Sequence, residues 1–354
     1  VSTTVLIVDD SALVRRMLTE MLDPHPELAV VGVAADPYAA RKKIKELRPD
    51  VITLDVEMPK MDGLTFLANL MRLRPMPVVM VSSLTERGAD ATLRALELGA
   101  FDFVPKPKLD LTHSLQLVAE ELCAKVLAAA RATPRNHAGP GRSRAPAPAR
   151  LAGPSGFASE SLLAIGASTG GTEAIRAILE TMPAGAPGLV ITQHIPPSFS
   201  AAFARRLDQA SALVVTEAED GVPVLPGHAY VAPGGRHLEV VSDGPRFRIH
   251  LSDGERVNRH RPSVDVMFDS LVSTAAPRVV AALLTGMGSD GAKGLSHLRA
   301  AGAQTLAQDE ATSAIFGMPK EAVRLGAARE VLPLDQIPKR LLELAGAVGV
   351  GPTV

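Results

Sequence analysis

A serine, a histidine and an aspartate in the second half of this 354-residue chain each stand just beyond a short apolar run. Gly166-Ala-Ser168-Thr-Gly170 follows Leu162–Ile165, His194 follows Leu189–Gln193, and Asp290 lies in Thr285–Gly291 after Val279–Leu284. The first segment has the G-x-S-x-G form, in which glycines permit a sharp strand-to-helix turn and leave the hydroxyl exposed. Unpaired backbone N–H groups and the dipole at such a helix start favour a developing oxyanion. Thr169 is the candidate backbone donor there, and Met287, otherwise a wall or turn residue, could add a second. A serine needs a base at neutral pH, and a histidine base needs an anion to fix its tautomer. Ser168, His194 and Asp290 are therefore the candidate nucleophile, base and orienting carboxylate. The order Ser, His, Asp differs from the Ser, Asp, His order of α/β-hydrolases and points to another α/β lineage. The same turn also suits a phosphate or dinucleotide cradle. Its spacing is not G-x-G-x-x-G, however, and the next strand ends in Gln193-His194 without an acidic ribose partner. The other histidines show no close metal-ligand spacing, so zinc hydrolysis is not expected.

The first half carries a different constellation. Asp9 and Asp10 follow Val5–Val8, Asp55 follows Val51–Leu54, Ser82 follows Val78–Val81, and Lys106 follows Phe101–Pro105. In an open parallel sheet, ligands bind beyond the carboxyl ends of the strands. Three carboxylates converging there repel unless a hard cation lies among them, and Mg²⁺ accepts a few carboxylate oxygens while keeping water and phosphoryl ligands. A lysine and a hydroxyl nearby would hold an incoming phosphoryl group. Taken singly, Asp10 could instead be a helix N-cap and Asp55 a turn residue.

These residues need scaffolds that bring strand ends together. Short apolar runs alternate with amphipathic helical patterns such as Ala12–Leu22 and Leu111–Arg131, which predicts parallel sheets covered on both faces. The second half has the same style, with a helix over Thr172–Glu180, a β-rich insertion over His228–His250 and helical patterns over Glu321–Leu344. From Thr133 to Gly156 proline, glycine, alanine and arginine dominate, a composition that joins neither sheet nor helix and reads as a solvated linker. The expected division is a first domain over 1–130, a flexible linker over 131–157 and a second domain over 158–350. Lys+Arg 37 against Asp+Glu 38 gives no electrostatic reason to expect a nucleic-acid partner. The single cysteine, Cys123, excludes an internal disulfide framework. With no signal-peptide pattern at the start and no apolar run long enough to span a bilayer, the chain reads as a cytoplasmic protein without direct membrane insertion.

Asp9-Asp10, Asp55-Val-Glu-Met-Pro-Lys-Met-Asp-Gly63, Val81-Ser82-Ser83 and Val104-Pro-Lys-Pro107 together resemble a two-component response-regulator receiver domain. That resemblance implies a flavodoxin-like fold with a five-stranded parallel sheet and makes Asp55 the phospho-acceptor. It implies Mg²⁺ bound by Asp9, Asp10, Asp55 and the Glu57 carbonyl, switch positions at Ser82 and Phe103, and a phosphoryl contact from Lys106. A cis Lys106–Pro107 bond and a histidine kinase as phosphodonor are implied as well.

In the second half, Ile165–Thr172, Gln193–Pro196, Tyr230–His237, Arg261–Asp265, Leu284–Gly291 and Gln308–Ser313 are together similar to the chemotaxis-specific protein-glutamate methylesterase family, the CheB family. The resemblance implies a second doubly wound α/β domain and makes Ser168, His194 and Asp290 its catalytic triad, with no cofactor for the ester chemistry. The implied substrates are glutamate γ-methyl esters, and selected glutamines, on methyl-accepting chemoreceptors. Phosphorylation of the receiver is implied to relieve a block on the esterase. The competing expectation is a non-catalytic, phosphorylation-dependent module that only docks to receptors.

Overall fold

The computed structural model describes residues 2–58, 61–83, 85–107, 112–132, 161–244 and 246–348. The chain separates into two compact units, Val1–Ser143 and Arg144–Val354. The expected linker begins at Arg131, which is the last residue of a helix, and from 133 onward it lies outside the described residues.

The first unit alternates strand and helix throughout. β1 (Thr3–Val8), α1 (Ala12–Leu22), β2 (Leu28–Ala34), α2 (Pro37–Leu47) and β3 (Val51–Asp55) come first. α3 (Gly63–Leu73), β4 (Val78–Ser82), α4 (Glu86–Glu97), β5 (Asp102–Pro105) and α5 (Thr112–Arg131) complete it. All pairings are parallel, in the order β2-β1-β3-β4-β5. β3 and β4 are buried along their whole length, as continuous apolar runs covered on both faces must be. Val5, Ile7, Val51, Val79 and Val81 meet Leu18, Leu22, Leu122 and Val126 of the flanking helices in one core. Each such side chain contributes roughly 1.5–3 kcal/mol by leaving water. β2 lies at the sheet edge and is mostly half-buried, so it lacks the continuous burial signature that marks the other strands. The N-cap of α1 is Ser11, whose hydroxyl accepts from Val14 N, so the capping alternative for Asp10 does not hold. Lys106–Pro107 is not cis, contrary to expectation; from this geometry the Lys106 ammonium already reaches the strand-end carboxylates.

The second unit begins with β6 (Leu162–Ala167), α6 (Gly171–Leu179), β7 (Gly188–Gln193), α7 (Pro197–Ala210), β8 (Val214–Glu217) and β9 (His228–Val231). β10 (His237–Asp243), β11 (Arg246–Ser252), α8 (Val264–Ala275), β12 (Val279–Leu283) and α9 (Ala292–Ala300) follow. β13 (Gln304–Gln308), α10 (Met318–Arg324), β14 (Glu330–Leu332) and α11 (Ile337–Val348) close the fold. Seven parallel strands run in the order β14-β13-β12-β6-β7-β9-β8. The insertion is smaller than expected. Ala229–Ala232 was expected within it, yet β9 is a strand of the main sheet between β7 and β8, and only the antiparallel β10–β11 hairpin stands apart. The hairpin's inner residues Leu238, Val240, Phe247, Ile249 and Leu251 pack with α8 into the main core. β14 interrupts the helical pattern expected over Glu321–Leu344. Among the described residues no helix is long and apolar enough to cross a membrane.

The strand order dictates where a site forms. From β6 the chain moves to β7 on one side and later to β12 on the other, so the strand order, though not the strand direction, reverses at β6. Crevices open beyond the carboxyl ends of strands at such a point.

Candidate active site

Ser168 follows β6, His194 follows β7 and Asp290 lies in the loop after β12, on the three adjacent strands of that switch point. Ser168 Oγ lies 3.0 Å from His194 Nδ1, and His194 Nε2 lies 2.7 Å from Asp290 Oδ2. All three expected residues are brought together in hydrogen-bonding order.

Backbone and side-chain ties hold Ser168. Ser168 N donates to Thr285 O at 3.0 Å, and Gln193 Nε2 donates to Ser168 O at 2.9 Å. Gly170 has φ +76°, and a Cβ there would fall 2.4 Å from Ala314 Cβ, so the turn demands glycine on both counts. α6 starts at Gly171, with Gly170 as an N-cap that offers no side-chain acceptor. Among the described residues neither Thr169 N nor Met287 N makes a hydrogen bond to the protein, which leaves both expected donors available.

Asp290 is only 2% exposed and saturated with donors. Oδ1 accepts from Asn258 Nδ2 and Ser263 Oγ, each at 2.7 Å, while Oδ2 accepts from Val264 N at 2.7 Å besides His194. Burial opposes its charge, but the hydrogen bonds from His194, Asn258 and Ser263 outweigh it and hold the carboxyl well below the usual carboxylate range. An acceptor-only carboxylate puts the imidazole proton on Nε2 and leaves Nδ1 as the acceptor facing Ser168. Ser263 and Val264 stand at the start of α8, whose dipole adds to this preference for an anion. Asn258 and Ser263 are site residues that the spacing of the sequence does not reveal. Ser263 carries the signal of a helix cap, whereas Asn258 reaches Asp290 from 32 residues away with no local signature.

At the strand ends of the first unit, carboxylate oxygens of Asp9, Asp10 and Asp55 lie within 4.8 Å of one another. Lys106 Nζ sits 2.8 Å from Asp55 Oδ2 and 3.3 Å from Asp9 Oδ2. Glu57 N donates to Asp55 Oδ1 at 3.1 Å, which fixes the loop whose carbonyl was expected to assist a metal. Ser82 is buried at the end of β4, its hydroxyl turned to the carbonyls of Ser83 and Gly88. Phe103 is buried in β5 with Lys125 Nζ 5.3 Å from its ring centre. An all-oxygen cluster with one exposed member and two buried ones suits a hard divalent cation that keeps some of its waters.

Burial, together with the neighbouring Asp9 charge, raises Asp55 to about 6 despite Lys106, and burial raises Asp9 too. A folded-state value above the unfolded one near 4 favours folding below about pH 4, and that contribution is lost as pH rises through 6. The first unit is therefore expected to lose on the order of 2–3 kcal/mol between pH 4 and pH 7 in a chelating buffer. Asp290, held low, acts in the opposite sense, its contribution rising slightly as pH passes the unfolded value near 4 and staying flat above about pH 5. Calorimetry of the full chain would check this, with Asp55→Asn flattening the dependence of the first-unit transition. A transition of the Asp55→Asn chain with the wild-type slope would reject Asp55 as its source.

Fold and site together give two parallel α/β units, the first with an acidic cluster at its strand ends and the second with a hydrogen-bonded Ser–His–Asp row. Residues 163–341 match the CheB methylesterase family, and residues 5–116 match the response regulator receiver domain. The chain is 58% identical over 346 residues to a protein-glutamate methylesterase/protein-glutamine glutaminase 1 of Xanthomonas euvesicatoria, covering 96% of this chain and 97% of that one. A relative from Pseudomonas aeruginosa, named protein-glutamate methylesterase/protein-glutamine glutaminase 2, is 55% identical, with 98% of each chain covered. The crystal structure of the Thermotoga maritima CheB methylesterase catalytic domain is 38% identical with a TM-score of 0.52, covering 53% of this chain and 100% of that one. The chain belongs to the CheB methylesterase family.

Proposed function

We propose that this protein is a phosphorylation-controlled serine hydrolase that demethylates glutamate γ-methyl esters on chemoreceptors, releasing methanol, and deamidates selected glutamines there. The observation that carries this reading is the relay Ser168 Oγ to His194 Nδ1 to Asp290, at 3.0 and 2.7 Å. Ser168 attacks the ester carbonyl as His194 Nδ1 takes its proton, and the backbone N–H groups of Thr169 and Met287 receive the oxyanion. His194 returns the proton to departing methanol, and water then cleaves the acyl-serine by the same route in reverse. With a glutamine substrate, ammonia leaves in place of methanol. A docking-only module gives no reason for a buried carboxylate to polarise an imidazole toward a serine.

Asp55 is the proposed phospho-acceptor. Asp9, Asp10, Asp55 and the Glu57 carbonyl would hold Mg²⁺, which shields the acceptor carboxylate and the incoming phosphoryl oxygens from each other. Lys106 would contact the phosphoryl group, with Ser82 and Phe103 reporting its presence to the α4–β5 side of the unit. The phosphodonor is a histidine kinase, and cytoplasmic residence follows from such partners. The test mixes the full chain with methyl-labelled receptor membranes and Mg²⁺, with and without a small phosphodonor such as acetyl phosphate, and measures volatile methanol. Release that rises several-fold with phosphodonor is expected. No release under either condition would reject the esterase reading, and release indifferent to phosphodonor would reject its control through Asp55.

A further inference from the structure

The geometry points to the Val257–His260 turn as a clamp that positions the His194–Asp290 pair from above, His260 fixing the plane of the imidazole and Asn258 the carboxylate. This rests on the hydrolase reading of the site. The His260 and His194 rings are stacked, with centroids 3.6 Å apart and planes 9° from parallel. His194 has one hydrogen bond at each ring nitrogen, and neither prevents the ring from tipping out of the plane that joins Ser168 to Asp290. A flat ring laid on one face does prevent it, and stacked aromatic contacts are attractive in that geometry. Two residues earlier, Asn258 Nδ2 divides its protons between Asp290 Oδ1 at 2.7 Å and Asp265 Oδ2 at 2.8 Å. One amide thus ties together two buried carboxylates that repel each other.

The backbone is built to deliver both side chains. Val257 and His260 exchange two hydrogen bonds, Val257 N to His260 O at 3.1 Å and His260 N to Val257 O at 2.9 Å. Between them Asn258 and Arg259 both have positive φ, 50° and 71°. This is the primed two-residue turn, which asparagine tolerates but for which arginine is a strained choice. Such strain persists where the surrounding structure over-determines it. The ties are present on both flanks. His237 Nε2 donates to Glu255 O at 2.8 Å, its Nδ1 accepts from Ser263 N at 3.2 Å, and Arg261 Nη1 donates to the carbonyls of Asp253 and Gly254.

His260 and Asn258 are therefore positioning residues that act through His194 and Asp290. The test compares the full chain with His260→Ala, His260→Phe and Asn258→Ala, measuring methanol release kinetics, the rate at which a fluorophosphonate labels Ser168, and thermal unfolding. Misalignment of a relay of this kind costs on the order of 10–100-fold. His260→Ala and Asn258→Ala are expected to lower kcat and the labelling rate by that factor, with KM within about twofold. The unfolding of the second unit is little changed in His260→Ala, whereas Asn258→Ala, which takes a donor from two buried carboxylates, melts lower and is compared at equal folded fraction. His260→Phe keeps a flat ring and is expected to restore most of the rate. Equal losses in His260→Ala and His260→Phe would overturn the proposal, because the ring nitrogens rather than the plate would then matter. Labelling of His260→Ala at the wild-type rate would overturn it too, as would losses that merely follow a lower melting temperature. The wild-type chain separates this inference from the one beneath it. Absent methanol release in wild type rejects the ester reading, whereas the labelling ratios alone decide the clamp.

Discussion

Ser168→Ala is expected to lower methanol release by on the order of 10⁶-fold, the scale at which loss of a serine nucleophile acts. In the proposed mechanism the hydroxyl oxygen forms the acyl bond, so no neighbouring group replaces it. What remains is the modest catalysis that free oxyanion donors and substrate binding supply on their own. The fold should tolerate the change. Ser168 is half-exposed, its backbone ties to Thr285 and Gln193 do not involve the hydroxyl, and only the contact with His194 is lost. A neutral hydrogen bond of that kind is worth about 1 kcal/mol. The variant should therefore melt near wild type, still accept a phosphoryl group at Asp55, and refuse a fluorophosphonate label. Near-normal methanol release by this variant would end the assignment of Ser168 as nucleophile.

Asp290→Asn should lower kcat by on the order of 10⁴-fold while leaving KM nearly unchanged. The substitution is nearly the same in shape but opposite in hydrogen bonding at one oxygen. With its NH₂ toward His194, the new amide opposes Val264 N–H and draws the imidazole proton to Nδ1, where it blocks acceptance of the Ser168 proton. With the NH₂ turned the other way, it opposes the Asn258 amide, while Ser263 must rotate its hydroxyl to accept. Either orientation leaves a buried donor without an acceptor, at about 1–3 kcal/mol of stability. Methanol release at saturating receptor is the measurement, corrected for folded fraction. Phosphonate labelling should slow in the same proportion, in contrast to its complete absence in Ser168→Ala. A loss of kcat under tenfold would show that the carboxylate does not set the tautomer.

The strand ends were legible because buried parallel strands leave continuous apolar runs, and residues just beyond such runs have few places to go. Asp55, Ser82, Lys106, Ser168 and His194 all stand at or within a residue or so of a strand end, where the runs put them. β2 and β9 were less legible. β2 is a half-buried edge strand, and β9 is four residues of mixed character that resemble the hairpin after it until its partners are known. α1 starts at Ala12 as its pattern predicts, but its cap was harder to read: Ser11, not Asp10, has its side chain oriented to accept from the first turn.

The chain's own residues thus determined the kinds of group at each strand end, because hydroxyl, imidazole and carboxylate chemistry is carried by identity and local burial by pattern. Which strands are neighbours was decided only by the three-dimensional fold, since β12 joins β6 through contacts more than a hundred residues apart along the chain. The same is true of which imidazole nitrogen faces which partner, and of Asn258 and His260 meeting Asp290 and His194. Those relations depend on side chains brought within a few ångströms by packing, and no periodicity along a sequence encodes a distance across a fold.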